Sequence, residues 1–385
     1  MEPIRFQRPE LPAGVDIERY LAAAREARWF SNRGPCHRLL SDRLSQFIGG
    51  DICVVPVANA TLGLMLALRT LVGDNPAGSL VVTPSFTFPA TAQAIFWSRL
   101  KPLWADVEPG GWHLDPHVLH DILEARGADV AAVIACSTFG SAPTAEQSAA
   151  WRDACNAAGV PLLVDSAAGF GSRDDNGRML GAQGDAEVFS FHATKPFAIG
   201  EGGALTTLDR ELADRLAKMT NFAFDDDREI RSPFGLNAKL SEMHAAIGLA
   251  VLDRFDDVLH ARRSRAGRLR GELEQAGYRF QSGACLSAWQ FVPVLAPSTR
   301  IRDAVLDGAL ERQIEIRTYH APLHLQPTFT RLADGAASLP VTEDLACRTL
   351  SLPLANDLSE QEIKRILALL VSCAELPRQA AEVTA

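Results

Sequence analysis

Lys195 lies in Phe189-Ser190-Phe191-His192-Ala193-Thr194-Lys195-Pro196, and Gly200-Glu201-Gly202-Gly203-Ala204 follows at once. Earlier in the chain the apolar run Leu162-Leu163-Val164 ends abruptly on Asp165. A lysine amine can hold an aldehyde as a Schiff base, and an acidic partner can keep a pyridine nitrogen protonated so that the ring accepts electrons. Those are the two protein groups that pyridoxal phosphate (PLP) chemistry requires. Most lysines are solvated surface groups. Lys195 is singled out by its flanks, an aromatic strand before it and a glycine-dense loop after it.

Such a site also needs a phosphate cradle and an aromatic face. Asn59-Ala60-Thr61 follows an apolar run at 52–57 and opens a helix from Leu62. A helix N-terminus binds a phosphate through unpaired backbone N–H groups and a partial positive charge. Ala60 lets the backbone approach and the Thr61 hydroxyl adds a donor, although Asn59 taken alone reads more readily as an ordinary N-cap. Ser190 can supply another hydroxyl to the same phosphate. Phe86 and Phe88, in Pro84-Ser85-Phe86-Thr87-Phe88-Pro89-Ala90-Thr91, can stack on a pyridine ring or belong to the core.

Strand-like and helix-like segments alternate through most of the chain, which predicts an α/β fold with a mostly parallel sheet flanked by helices. The buried-strand pattern falls at 52–57, 80–83, 131–136, 161–164, 188–191 and 204–207, with helices at 62–72 and 145–158. Met243, Ala246, Ile247, Ala250 and Val251 recur as one helical stripe. Arg262-Arg263-Ser264-Arg265 reads as a solvated helix face. After it come a strand at 290–295 and a terminal helix carrying Ile363, Ile366, Leu367, Leu370 and Val371 on one side. The boundary is placed near 250: a large domain at 1–250 and a smaller α+β domain at 251–385. Residues from Pro377 onward are expected to be frayed.

The chain has 385 residues and a net charge of −9, with no basic patch, so nucleic acid is not an expected partner. Seven scattered cysteines without a Cys-x-x-Cys read as buried thiols of a reducing compartment, with no metal site. No signal peptide and no membrane span is read, and the expected location is the cytoplasm. The Asn59-Ala60-Thr61 sequon is then accidental. No Gly-x-Gly-x-x-Gly follows an early strand, which weighs against a nicotinamide dehydrogenase, and His-Glu-x-x-His is absent, which weighs against a zinc hydrolase.

Taken together, these motifs resemble the DegT/DnrJ/EryC1/StrS family of PLP-dependent sugar aminotransferases, of the aspartate aminotransferase (fold type I) superfamily. Ser31-Asn32-Arg33-Gly34-Pro35 is similar to its entry segment, Asn59-Ala60-Thr61 to its Ser-Gly-Thr phosphate contact, and 84–91 to the segment whose second aromatic stacks on the ring. The stretch 184–204 resembles its Schiff-base segment. Leu236-Asn237-Ala238-Lys239-Leu240-Ser241-Glu242 resembles its Asn-Tyr-Arg-Leu-Ser-Glu, and Tyr319-His320-Ala321-Pro322-Leu323-His324 its His-Tyr-x-Pro-Leu-His.

The resemblance implies a transaminase that makes an amino-sugar from a nucleotide-linked keto-sugar, with glutamate as donor. It implies a homodimer in which Asn237 reaches the phosphate of the neighbouring subunit's cofactor. By the same resemblance Asn32, Arg33, Lys239, Tyr319 and His324 are candidates for the substrate side, and because the substrate's diphosphate needs cations, Arg33, Lys239 or Arg317 are candidates to bind it. Two departures stand out. The acidic strand ends Asp165-Ser166-Ala167-Ala168 where the family has a final glutamine or histidine, and Lys239 replaces an arginine fork. Rival readings are a dehydrating enzyme of the same fold and a PLP-binding regulator without turnover. Dehydrating members carry histidine at the lysine position, so Lys195 weighs against the first; Ala168 leaves the second open.

Overall fold

The computed structural model describes residues 2–74, 76–334 and 338–375. Seven strands form one sheet: β1 (Cys53–Val57), β2 (Leu80–Pro84), β3 (Lys101–Ala105), β4 (Val130–Cys136), β5 (Leu162–Asp165), β6 (Ala186–Ser190) and β7 (Gly203–Thr207). Their order is β1-β7-β6-β5-β4-β2-β3. Strands β2 to β6 pair in parallel with one another, whereas β7 runs antiparallel to both β1 and β6. The fold is therefore the expected α/β architecture with a mostly parallel sheet.

Burial explains why most of these strands are plain in the sequence. Residues of β2, β4, β5, β6 and β7 are buried throughout, since helices cover both faces of the sheet. Leu64, Ile134, Leu163, Val188 and Leu205 pack on one face, and Val82, Leu119, Val133, Trp151 and Val164 on the other. The edge strand β3 carries no such run. It opens on exposed Lys101 followed by Pro102, and a proline is tolerated only where a ladder bond can be spared.

A second, two-stranded antiparallel sheet joins β8 (Val292–Leu295) to β9 (Thr349–Leu352). Helices Phe255–Gln275, Thr299–Glu311 and Glu360–Ala374 share its core with the strands. Ile363, Ile366, Leu367 and Leu370 are buried there, as their spacing predicts, and Val371 is half-buried. Ile4 pairs with Ile314, so the start of the chain is stitched to this part of the molecule.

Several expectations need correction. Helix Glu242–Leu252 is buried on nearly every side rather than along one stripe, because Ala245, Leu249 and Leu252 also pack inward, while Met243 is exposed. Arg262 is no surface group. It is 6% exposed, and its guanidinium donates to Asn356 Oδ1 at 2.8 Å, the Trp289 carbonyl at 2.8 Å and the Gln290 carbonyl at 3.2 Å. Arg263 likewise donates to the carbonyls of Gly171, Leu286 and Ser287. All seven cysteines are free, but Cys285 and Cys347 are exposed rather than buried. Among the described residues no helix is long and apolar enough to cross a membrane. The chain end from Pro377 lies outside the described residues.

Candidate active site

The carboxyl ends of β1, β2, β4, β5 and β6 and the amino end of antiparallel β7 meet at one edge of the sheet, where open α/β folds keep their ligands. A cavity of about 690 Å³ opens there. Of the residues singled out in the sequence, Asn59, Ala60, Thr61, Phe88, Asp165, Ser190, Lys195 and Tyr319 all line it.

Asp165 is the last residue of β5 and only 7% exposed. Thr91 Oγ1 donates to its Oδ2 at 2.7 Å and the Ala167 N–H to its Oδ1 at 3.1 Å. Burial pushes this carboxyl above its ordinary value, against the pull of those two donors and of the Lys195 charge. Lys195 responds in the opposite sense. Burial lowers its amine to about 8, offset in part by Asp165. Its Nζ donates to Gln290 Oε1 at 2.9 Å.

Helix Ala60–Val72 points its N-terminus into the cavity wall, and Asn59 Oδ1 accepts from Leu62 N–H at 2.9 Å. Asn59 is thus an N-cap and a cavity residue at once. A Cβ on Gly203, at the start of β7, would stand 2.6 Å from the Phe189 carbonyl oxygen and 3.0 Å from the Ala60 nitrogen. Only glycine leaves this cradle its shape. Phe88 opens helix Pro89–Trp97 and is 61% exposed at the cavity, whereas Phe86 is buried. Phe86 meets Phe139 edge-on at 5.6 Å, and the His320 ring lies flat on Phe139 at 4.8 Å. Burial and the Lys195 charge hold His320 down at about 3, so it is neutral. Gly140, at positive φ, packs so closely on Ala168 that a Cβ would collide with the Ala168 carbonyl oxygen.

Six candidates are not brought to the cavity within this chain: Asn32, Arg33, Asn237, Lys239, Arg317 and His324. The Arg33 guanidinium donates to the Ala217 carbonyl and to Thr220 Oγ1. Lys239 Nζ donates to Asn237 Oδ1 and Asn221 Oδ1, both at 2.7 Å. Arg317 packs over the Phe6 ring at 5.8 Å. His324 is buried: it shares a hydrogen bond of 2.7 Å between Nδ1 and Ser85 Oγ, and its backbone N–H donates to that same oxygen, which ties the 319–324 segment to the end of β2. Thr91, Gln290 and His320 are cavity or carboxylate contacts that the sequence pattern does not single out. A lone glutamine in Ala288-Trp289-Gln290-Phe291-Val292 is a usable signal for one of them.

Known proteins resemble this chain along nearly its whole length. The sequence profile of the DegT/DnrJ/EryC1/StrS aminotransferase family matches residues 13–371. The chain is 34% identical to protein Rv3402c of Mycobacterium tuberculosis over 368 residues, 95% of this chain and 89% of that one. It is 31% identical to the UDP-2-acetamido-2-deoxy-3-oxo-D-glucuronate aminotransferase of Pseudomonas aeruginosa, over 88% of this chain and 91% of the other. Among solved structures, DesI in the presence of its TDP-sugar product superposes with a TM-score of 0.86 at 34% identity, covering 97% of this chain and 93% of DesI. A proposed PLP-dependent aminotransferase of Bacillus cereus gives a TM-score of 0.88 at 32% identity, covering 96% and 100%. With lysine, carboxylate and helix N-terminus gathered in one cavity and the profile matched almost end to end, the chain belongs to the DegT/DnrJ/EryC1/StrS aminotransferase family, whose cofactor is PLP.

Proposed function

We propose that this aminotransferase converts a nucleotide-linked keto-sugar to an amino-sugar, with glutamate as the amino donor. The observation that carries the reading is the single cavity in which Lys195, Asp165 and the N-terminus of helix Ala60–Val72 meet. The activity for which the Pseudomonas aeruginosa relative is named and the TDP-sugar product present with DesI support the substrate class. Lys195 itself, where dehydrating members of the family carry histidine, favours amino transfer.

The residues present fit PLP. Asp165 offers a buried carboxylate, the opening amides of a helix have no partner within that helix, and Gly203 keeps the space beside Ala60 open. In this proposal Asn59, Ala60, Thr61 and Ser190 hold the phosphate, Phe88 covers the ring, and Asp165 holds the proton of the ring nitrogen. PLP bound there supplies the electron sink. Lys195 anchors the cofactor and, through an amine whose proton affinity burial has brought near neutrality, takes and returns the transferred proton at Nζ. Neutral His320, flat on Phe139, walls the cavity without adding charge. We place the substrate's diphosphate at cations outside this cavity, the protein in a homodimer that completes the site, and its activity in the cytoplasm.

The test is spectroscopic. Protein loaded with PLP should show the absorbance band of a lysine-bound cofactor, lose it with glutamate, and regain it with a UDP-, dTDP- or GDP-linked keto-sugar. Lys195→Ala should abolish turnover. Regeneration by small keto acids but by no nucleotide sugar would overturn the substrate class, and a protein that takes up no PLP would overturn the site.

A further inference from the structure

Gln290 has no place in the proposed chemistry so far, yet it is the side chain bonded to the lysine. Its Oε1 accepts from Lys195 Nζ at 2.9 Å, and its Nε2 donates to Thr194 Oγ1 at 3.3 Å. Thr194 Oγ1 lies 2.9 Å from His192 Nδ1, which also accepts the Thr194 backbone N–H at 3.2 Å. His192 Nε2 faces Glu201 Oε1 at 3.7 Å.

These contacts have one consistent direction. An ammonium has no lone pair, so Gln290 must turn its oxygen to Lys195 and its NH₂ to Thr194. The Thr194 hydroxyl then gives its proton to His192 Nδ1, and the imidazole proton sits on Nε2, toward the Glu201 carboxylate. The backbone beneath is pinned as well, because buried Arg262 donates to the carbonyls of both Trp289 and Gln290. Gln290 itself is 8% exposed. A side chain held at its backbone and at its Nε2 can place its Oε1 only within a narrow range.

We propose that Gln290 is the positioning residue for the free amine of Lys195, holding Nζ at the cavity wall whenever the lysine is not bound to cofactor. The inference rests on the reading of Lys195 as the PLP lysine and adds a partner for the part of the cycle in which that lysine is released. An amide suits the task. A carboxylate at the same place would keep the amine protonated, and an apolar side chain would leave a buried donor without an acceptor. Other charged or titratable groups line the same cavity: Asp165 from β5, Cys136 from β4, His320 from the 319–324 segment, His192 and Glu201 from the lysine's own loop. Asp165 and His320 act on the amine directly. Arg262, with Arg8 and Glu10 of the N-terminal segment, lines a second, small crevice that Lys195 also borders. Of these, only His192 and Glu201 are linked to the Gln290 side chain, through Thr194, so the remaining groups are a common background for every Gln290 variant.

The amine can be read without any cofactor. Full-length protein stripped of PLP is pulsed with acetic anhydride over a pH series, and acetylation of Lys195 is followed by peptide mass spectrometry. The wild-type midpoint should fall near about 8. In Gln290→Leu it should move down by roughly half to one unit, since a carbonyl acceptor stabilises the ammonium more than the neutral amine. In Gln290→Glu, nearly the same shape, it should move up by about one unit or more. Shifts of opposite sign are not the signature of loosened packing, and the glutamate variant alone decides the matter if the leucine variant folds poorly. Midpoints that stay at the wild-type value would overturn the tether. Because labelling needs no PLP, a protein that never binds the cofactor would defeat the cofactor reading and leave the tether standing.

Discussion

Burial acts on Asp165 and Lys195 in opposite directions, raising the carboxyl and lowering the amine, so each is drawn toward its neutral form. The role proposed for Asp165 requires a charged carboxylate, and Thr91 is the side chain that hydrogen-bonds it, donating at 2.7 Å. Thr91→Val keeps the shape and removes the donor. A hydrogen bond to a charged group is worth roughly 1.5–3 kcal/mol, so PLP affinity should fall about tenfold or more. The sign with pH follows from the direction of the shift. Ionised Asp165 favours the cofactor, and affinity is lost as pH falls through its pKa. Thr91→Val raises that pKa further, so the loss should begin at a higher pH than in the wild type. PLP titrations followed by absorbance at several pH values check this. Equal affinities across the series would remove Thr91 from the site.

Elements explain what can be read from sequence and what cannot. Strands buried on both faces read mostly as apolar runs, buried Glu187 in β6 excepted, and a residue that ends one at the carboxyl edge, such as Asp165, announces itself as a departure from the run. Contacts between distant elements leave no such trace. Thr91 meets Asp165 across 74 positions and Gln290 meets Lys195 across 95. The charged run around Arg262 points to solvent, whereas its acceptors are mostly backbone carbonyls, which no side-chain pattern records.

Glu242 belongs to the same class. It opens helix Glu242–Leu252, but its carboxylate caps another helix, accepting the Cys36 N–H at 2.6 Å and the His37 N–H at 3.1 Å. Helix Pro35–Ile48 has only Gly34 at its N-cap, with no side-chain cap of its own, and a Cβ there would stand 2.7 Å from Glu242 Cδ. The carboxylate thus sits at the positive ends of two helices, fully buried. Glu242→Ala strips two buried amides of their acceptor and should cost about 2–4 kcal/mol. The urea midpoint should fall accordingly, and an unchanged midpoint would show that other groups satisfy those amides.

At the scale of the whole molecule, the cavity lacks what a nucleotide diphosphate needs. Its lining contains one lysine, Lys195, and no arginine among the described residues. The cations Arg33 and Lys239 instead lie on a surface built from the 29–33, 217–222 and 237–243 segments. Glu242 N–H donates to the Phe30 carbonyl at 3.4 Å, Lys239 Nζ sits 5.2 Å from the Phe222 ring, and Arg33 binds Ala217 and Thr220. Trp29, Phe30, Phe222 and Met243 are exposed on these segments, large apolar side chains of the kind that interfaces cover. A second copy docking there would cover it and bring the Asn237 and Lys239 pair toward a neighbouring cavity. The expected outcome is a dimer in sedimentation, with shared sites. Lys195→Ala and Asn237→Asp chains should each be inactive alone, the second because an added carboxylate repels the cofactor phosphate. Mixed under conditions of verified subunit exchange, they should recover part of the activity. In the mixed dimer both defects fall in one site, where the chain without the lysine meets the added carboxylate of its partner. The other site keeps its lysine and receives an unaltered asparagine from across the interface. If Asn237 instead served its own cavity, each site would keep one defect and mixing would restore nothing. Recovery on mixing therefore reports on which chain Asn237 serves, and full activity in a monomer would reject the shared site outright.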